Sequence, residues 1–402
     1  MRRPRKWIPF LGIWGGLAAA AVGCGEPSPP ITAPPGEPLP GLTTQELQRF
    51  QQGQALFMRE FAPEEGLGPL FNDNSCFSCH DTPTSGGTGV DPVTLVSRWI
   101  EDEARCELPG PDGNALVQQR MTPALAQALD EEGMTRSAVP PWATDVVEMI
   151  GPPLYGMGLV DAIPDEQIHA RAASGIRPES ATPGRVATTI EGRPGRFGRK
   201  ATHADLRSFT AGALLGEMGI TTSSHPDEVP LHDRPLPEGV DPTADPEMTD
   251  REVEILTDYV RFLAAPPRVL PDDPDELARV NRGERLFDRV GCAGCHVPEM
   301  TTGTSEVAAL DRVPVPLYSD LLLHDLGPEM ASICSYDAGP SEWRTAMLMG
   351  LRFRTQLLHD GRAVRLEQAI SFHGGEAATV RSAFHALEPS EREALLAFLR
   401  TL

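Results

Sequence analysis

Cys76-Phe77-Ser78-Cys79-His80 and Cys292-Ala293-Gly294-Cys295-His296 decide how this chain is read. Both have the form C-x-x-C-H, the attachment signature of c-type haem. Two thiols one helical turn apart can add to the two vinyl groups of a haem, and the adjoining imidazole supplies an axial nitrogen to its iron. A tetrahedral zinc cage made from two C-x-x-C pairs is the rival reading, and a thioredoxin-like redox pair is a second. Neither uses the histidine that follows each pair. The expectation is two covalently bound haem c groups, one on Cys76 and Cys79 with His80 on its iron, the other on Cys292 and Cys295 with His296.

The flanking sequence repeats as well. Gly53-Gln54-Ala55-Leu56-Phe57 precedes the first signature and Gly283-Glu284-Arg285-Leu286-Phe287 the second, both G-x-x-L-F. In the first, Leu47, Phe50, Phe57 and Phe61 lie close to one helical face. Each half closes on an amphipathic helix, with a capping box expected from Thr249 and Glu252 in one and from Ser390 and Glu393 in the other. An entry helix with a small glycine for close crossing, a haem loop and a closing helix outline a cytochrome c domain. A mainly α fold follows: two cytochrome c-like domains over 42–268 and 269–402, the first enlarged by long loop insertions. The join falls at Ala264-Ala265-Pro266-Pro267 and Pro271-Asp272-Asp273-Pro274, where prolines stop a helix. Pro226–Met248 reads as a Pro/Asp-rich loop, and no stretch reads as a sheet.

Residues 1–23 have the form of an export signal, with Arg2, Arg3, Arg5 and Lys6 ahead of an apolar run from Trp7 to Val22. Ala21-Val22-Gly23-Cys24 is similar to a bacterial lipobox, which makes Cys24 a lipidation site; an ordinary signal peptide with a stray cysteine is the alternative. A Pro-rich tether over 24–41 would follow. The expected place is periplasm-facing, membrane-anchored through the lipid alone or soluble, where cysteines meet an oxidising environment. With 35 Lys+Arg against 57 Asp+Glu, the 402-residue chain carries −22. That charge excludes nucleic acid as a partner, since phosphate contact needs clustered cations. It suits a basic redox partner such as a basic cytochrome. Seven cysteines are too few for a disulfide scaffold.

Further runs carry a resemblance. They are Pro153–Pro164 (PLYGMGLVDAIP), Gly195–Ala201 (GRFGRKA), Gly216–Thr221 (GEMGIT), Tyr318–Asp325 (YSDLLLHD), Glu342–Ala346 (EWRTA) and Leu358–Glu376 (LHDGRAVRLEQAISFHGGE). In these the chain resembles the di-haem oxidoreductase (putative peroxidase) family, relatives of the bacterial di-haem cytochrome c peroxidases and of the methylamine-utilisation di-haem enzyme. They span nearly everything after the tether.

The resemblance implies site residues. In the related peroxidases an H-x-G segment is followed fourteen positions on by the sixth ligand of the second haem, usually Met, or Tyr in the methylamine enzyme; here that position, counted from His359, is His373. His296 and His373 would then close the second haem, making it low-spin and suited to relaying electrons. An unliganded buried histidine is the alternative for His373. The first haem would be the reactive one, with peroxide as its substrate and an acid nearby. Asp161 stands where the family pattern has an acid, with Glu148 in reserve, whereas Met157 could instead close that haem. His324 and His359 match family motifs and are candidates to line the second haem or its propionates. Among Trp343, Trp142 and Trp99 an inter-haem relay is open beside ordinary packing. Cys106 and Cys334 remain for a disulfide between the halves, and no calcium ligand set is legible. The implied activity is a peroxidase-like di-haem oxidoreductase; a non-enzymatic di-haem electron carrier is the competing class.

Overall fold

A computed structural model describes residues 31–110, 114–174, 184–232 and 234–402. The signal segment and Cys24 lie outside the described residues. Five helices carry the architecture: α1 (Thr44–Phe57), α2 (Leu206–Met218), α3 (Asp250–Phe262), α4 (Pro274–Val290) and α5 (Pro389–Leu399). Packed pairs form from α1 with α3 and from α4 with α5, while α2 lies against α3. Glycine sets both crossings. A Cβ on Gly53 would stand 2.3 Å from the Ile255 carbonyl oxygen, and one on Gly283 1.9 Å from that of Ala394. The two G-x-x-L-F runs therefore do the same work twice, and Phe57 and Phe287 are buried beside the two crossings.

The capping boxes of α1 (Thr43 with Glu46) and α3 (Thr249 with Glu252) are both formed. The one expected from Ser390 and Glu393 is absent. Helix α5 begins at Pro389, whose fixed φ and missing N–H suit the first helical position, so Ser390 already lies inside the helix. No helix of the described residues is long and apolar enough to cross a membrane.

A sheet is present where none was expected. Strands β1 (Pro92–Ile100), β2 (Arg105–Glu107) and β3 (Asp145–Ile150) are antiparallel in the order β2-β1-β3. Their sequences, PVTLVSRWI and DVVEMI above all, are rich in β-branched residues that suit a pleated surface. Along β1 most residues are half-buried on both faces, and on β3 the outward positions include the apolar Val146, so the alternation stays hidden along the chain. A second small ladder pairs β4 (Leu323–Asp325) with β5 (Glu342–Arg344). Cys106 on β2 is disulfide-bonded to Cys334, with their Cα atoms 5.8 Å apart.

The proline-rich segment is not a free spacer over its described part. Ala33 donates to the Ala265 carbonyl, Leu39 to that of Phe262, and Ala264 donates back to Glu37. Leu39 is buried, so residues 31–41 form a latch over the end of α3. The apolar core around α1, α2 and α3 also takes in Met300, Leu310, Val315, Leu317, Met347 and Met349 from beyond the proline-rich join. A second core holds Leu286, Phe287, Phe384, Leu395 and Phe398.

Candidate haem sites

Cys76 to Cys79 form one helical turn, capped where Ser75 Oγ accepts the Phe77 amide at 3.3 Å. His80 closes the turn, and its Nδ1 donates to the Gly87 carbonyl at 3.0 Å, which leaves the Nε2 lone pair for a metal. Burial pushes the Cys76 and Cys79 thiols up to about 12. Among the described residues the four C-x-x-C sulfurs do not gather into one metal-sized cluster. The zinc cage is thereby removed.

A cavity with about 1370 Å³ of empty space, mouth included, opens beside this turn. Its wall draws on both halves of the chain, from Phe57 and Cys76 to Met349 and Arg354. One wall is a face of α2 at helical spacing: Leu206, Thr210, Ala213, Leu214, Glu217 and Met218. Met157, Met347 and Met349 line it too.

Three guanidiniums, Arg199, Arg344 and Arg354, also line the cavity. Their hydrogen bonds go to carbonyls: Arg199 to Ile150 at 2.7 Å, Arg344 to Gly198 at 2.9 Å and Arg354 to Met347 at 3.1 Å. Arg354 Nε has no partner at all. Burial lowers them to about 9, 10 and 10, helped at Arg199 by the charges of Arg354 and Arg344 and at Arg344 by that of Arg354. Carbonyls satisfy the N–H groups without cancelling the charge, so this wall is matched to an anionic guest. The two propionates of a haem are of that kind. The residues present fit the group.

At the second signature, His296 Nδ1 donates to the Tyr318 carbonyl at 3.0 Å. His373 Nδ1 donates to the Ala369 carbonyl at 2.8 Å. Both rings therefore turn the same kind of Nε2 lone pair outward, and their centres lie 6.3 Å apart. Two metal–imidazole bonds of about 2.0–2.1 Å, with about 1.1 Å from each nitrogen to its ring centre, span roughly that distance. Burial, with His373 as the next cause, lowers His296 to about 4, which keeps its ring neutral and able to ligate.

Asp161 and Glu148 do not reach the first cavity. Asp161 Oδ1 accepts the Leu206 amide at 3.0 Å at the start of α2, and Arg261 lies 4.0 Å from its Oδ2, so the carboxylate is tied into the helix framework. Glu148 is exposed on β3, one residue from buried Met149 and thus on the opposite face. Two acids do line the cavity, Asp73 and Glu217, and Glu217 is the one that burial shifts. Its Oε2 accepts from Asn72 Nδ2 at 3.0 Å, and burial, then the neighbouring Asp73 charge, pushes its carboxyl up to about 7. Glu217, Arg199 and Arg344 all stand inside the runs quoted above, but which face each turns inward is a tertiary matter.

His324 is buried on β4 between Asp320 and Glu376, and its Nδ1 lies 3.8 Å from Cys295 Sγ. His359 is stacked on Trp343 with ring centres 4.1 Å apart; neither ring nitrogen has a hydrogen-bond partner, and Nε2 lies 3.8 Å from Asp360 Oδ2. The Lys200 ammonium caps the same indole at 3.6 Å. Trp99 donates to Glu101 at 2.7 Å at the exposed end of the sheet. Away from both sites, Glu228, Asp241, Asp245 and Glu247 bring carboxylate oxygens within 4.8 Å of one another, a grouping the Pro/Asp-rich loop did not announce.

Among solved structures the chain is similar to the hydrazine synthase of Kuenenia stuttgartiensis, at 13% identity and a TM-score of 0.41 over 97% of this chain and 100% of that one. It is also similar to a MauG-like protein associated with microbial copper homeostasis, at 16% identity and a TM-score of 0.40 over 92% of each chain. No curated protein matches it. The profile of the family described as di-haem oxidoreductase, putative peroxidase, matches residues 142–402, which includes the second signature and leaves the first to its own motif and geometry. That span is well over half of the sequence, and the chain belongs to the di-haem oxidoreductase, putative peroxidase family.

Proposed function

We propose that the chain is an exported di-haem c oxidoreductase of the peroxidase type, with a closed electron-relay site at His296 and His373 and a reactive site at His80. The observation that carries this reading is the contrast between the two signatures: one histidine faces a second across 6.3 Å, the other opens on a large cavity with an acid in its wall. Cys76 and Cys79 would hold the first haem c covalently, Cys292 and Cys295 the second, and each helix pair with its loop would be one cytochrome c-like unit, dividing near 268. Haem iron, when bound, supplies one-electron chemistry and, at an open position, the reduction of peroxide. Arg199, Arg344 and Arg354 hold carboxylates at the cavity wall. Glu217 presents a carboxyl that is part protonated near neutral pH, able to give a proton to a peroxide oxygen as its O–O bond breaks.

The disulfide between Cys106 and Cys334 supports export to an oxidising compartment, with Cys24 as lipid anchor. The charge of −22 supports a basic electron-donor protein. One observation favours the carrier reading: Met157, Met347 and Met349 line the first cavity, and a thioether there could close it. Spectra of the haem-loaded protein decide. A ferric high-spin component that changes on adding peroxide is expected, and wholly low-spin spectra would establish the carrier. His373→Ala should add a second high-spin signal.

A further inference from the structure

One short turn bonds one candidate ligand of the second site and is linked through His324 to the segment that carries the other. Residues 318–322 contain two non-glycine residues in the left-handed region, Tyr318 at φ 51° and Leu321 at φ 63°. Backbone of that kind persists only where its surroundings enforce it. Here Ser319 Oγ donates to the Thr345 carbonyl at 2.7 Å and accepts the Leu321 amide at 3.0 Å, while Asp320 Oδ1 accepts the Leu322 amide at 3.0 Å. The turn aims the Tyr318 carbonyl at His296 Nδ1.

The same turn reaches the other ligand through charge. Asp320 Oδ2 accepts from His324 Nε2 at 2.9 Å, and Glu376 Oε2 accepts from His324 Nδ1 at 2.7 Å. Carboxylates only accept, so His324 carries both protons and is an imidazolium. Burial opposes that charge, but the bonds to Asp320 and Glu376 raise its pKa. Glu376 lies three residues after His373, and the residues between are glycines pressed on the backbone that follows β4. A Cβ on Gly374 would stand 2.6 Å from the Leu326 carbonyl oxygen, and one on Gly375 2.3 Å from that of Asp325. The His373 segment thus lies flat on β4's exit, closed by an ion pair at its far end.

We propose that Asp320, His324 and Glu376 form a positioning triad that holds His373 opposite His296, so that one turn sets both faces of the second haem. This rests on the reading of those two histidines as its axial pair. His324 is itself no ligand, since both of its nitrogens are taken by carboxylates. Cys295, Asp320 and His324 also lie close enough to hold an ion, but Cys295 belongs to the C-x-x-C-H loop.

The test uses the haem-loaded full chain with His324→Ala, Glu376→Ala and Glu376→Gln, read by electron paramagnetic resonance, visible spectra and cyanide binding at the second haem. In the two alanine variants part of that haem should turn high-spin and bind cyanide roughly 10–100-fold faster, the usual size of an outer-partner effect. Glu376→Gln, whose amide oxygen still accepts the Nδ1 proton, should keep the parent signal. Alanine variants that stay wholly low-spin, with cyanide rates within about twofold of the parent, overturn the triad. His373→Ala is the control: if it too stays low-spin, the axial assignment has failed. Should His324→Ala not load haem, Glu376→Ala decides alone, because it removes a carboxylate that is 22% exposed.

Discussion

At the scale of single residues, the chemistry hangs on where a proton can be held. Glu217 is the carboxyl of the first cavity whose ionisation burial and Asp73 bring to about 7. A general acid must hold its proton before the bond breaks, so turnover of peroxide should be full below about 7 and fall as pH rises through it. Glu217→Gln removes the transferable proton with little change of shape. Its peroxide turnover should drop by about 10²–10⁴-fold and lose that pH limb, while haem content and spectra stay as in the parent. Stopped-flow mixing with peroxide across pH 5–9 measures both. Unchanged turnover would take the acid role away from Glu217. The residue stood in plain view within Gly216–Thr221, yet Asp161 drew the assignment because it occupies the position where the family pattern has an acid. Spacing along a chain cannot tell that Asp161 accepts the Leu206 amide while Glu217 faces the cavity.

At the scale of elements, the two helix crossings were the most legible part of the fold. A glycine four residues before a phenylalanine, once per half, marks the place where two backbones touch, and touching needs no more than a missing Cβ. Gly283→Ala should therefore cost about 1–3 kcal/mol or more, since its Cβ would fall 1.9 Å from the Ala394 carbonyl oxygen. Chemical denaturation of the loaded protein measures it, and a cost under about 0.5 kcal/mol would show that the crossing yields easily. Strand β1 stayed hidden because half-burial on both faces blurs the period of two, β3 because its outward face carries the apolar Val146, and the latch over 31–41 because it is held by backbone bonds that leave no side-chain pattern. The acidic loop makes a prediction of its own. Burial first, then neighbouring carboxylates, raises Glu228 to about 8, and burial raises Glu247 to about 7. A carboxyl raised on folding adds nothing adverse below about 4.3, where both states are protonated, and its cost grows until pH passes the folded value. Glu228→Gln should raise the melting temperature at pH 8.5 in chelator and leave it nearly unchanged at pH 4.5. A gain of equal size at both pH values would reject the electrostatic cause.

At the scale of the molecule, the core around α1, α2 and α3 draws on both halves of the sequence, while the second core belongs to the second half alone. The repeats around Cys76 and Cys292 made the doubling legible, but Met300, Val315, Leu317 and Met347 leave the second half to pack on the first. Nothing in one sequence says which loop crosses over, because the gain comes from apolar area shared between distant segments. The disulfide is the covalent version of the same cross-tie. Cys106 and Cys334 are 228 residues apart, so the bond closes a loop through both halves and removes much of the unfolded chain's freedom. Its loss should cost about 2–5 kcal/mol. The half-buried Cys106 on β2 and the fully buried Cys334 both lie away from the cavity wall, so the spectra of the two haems should survive the loss under native conditions. Cys106→Ser with Cys334→Ser is the cleaner form of the experiment, since neither sulfur is left to pair wrongly. Thermal unfolding followed at the Soret band should show an earlier transition in the double variant, and the parent with reductant should match it. If melting is unmoved by either treatment, the packing of the 297–349 segment on the first core already holds the halves together, and the disulfide is incidental to stability.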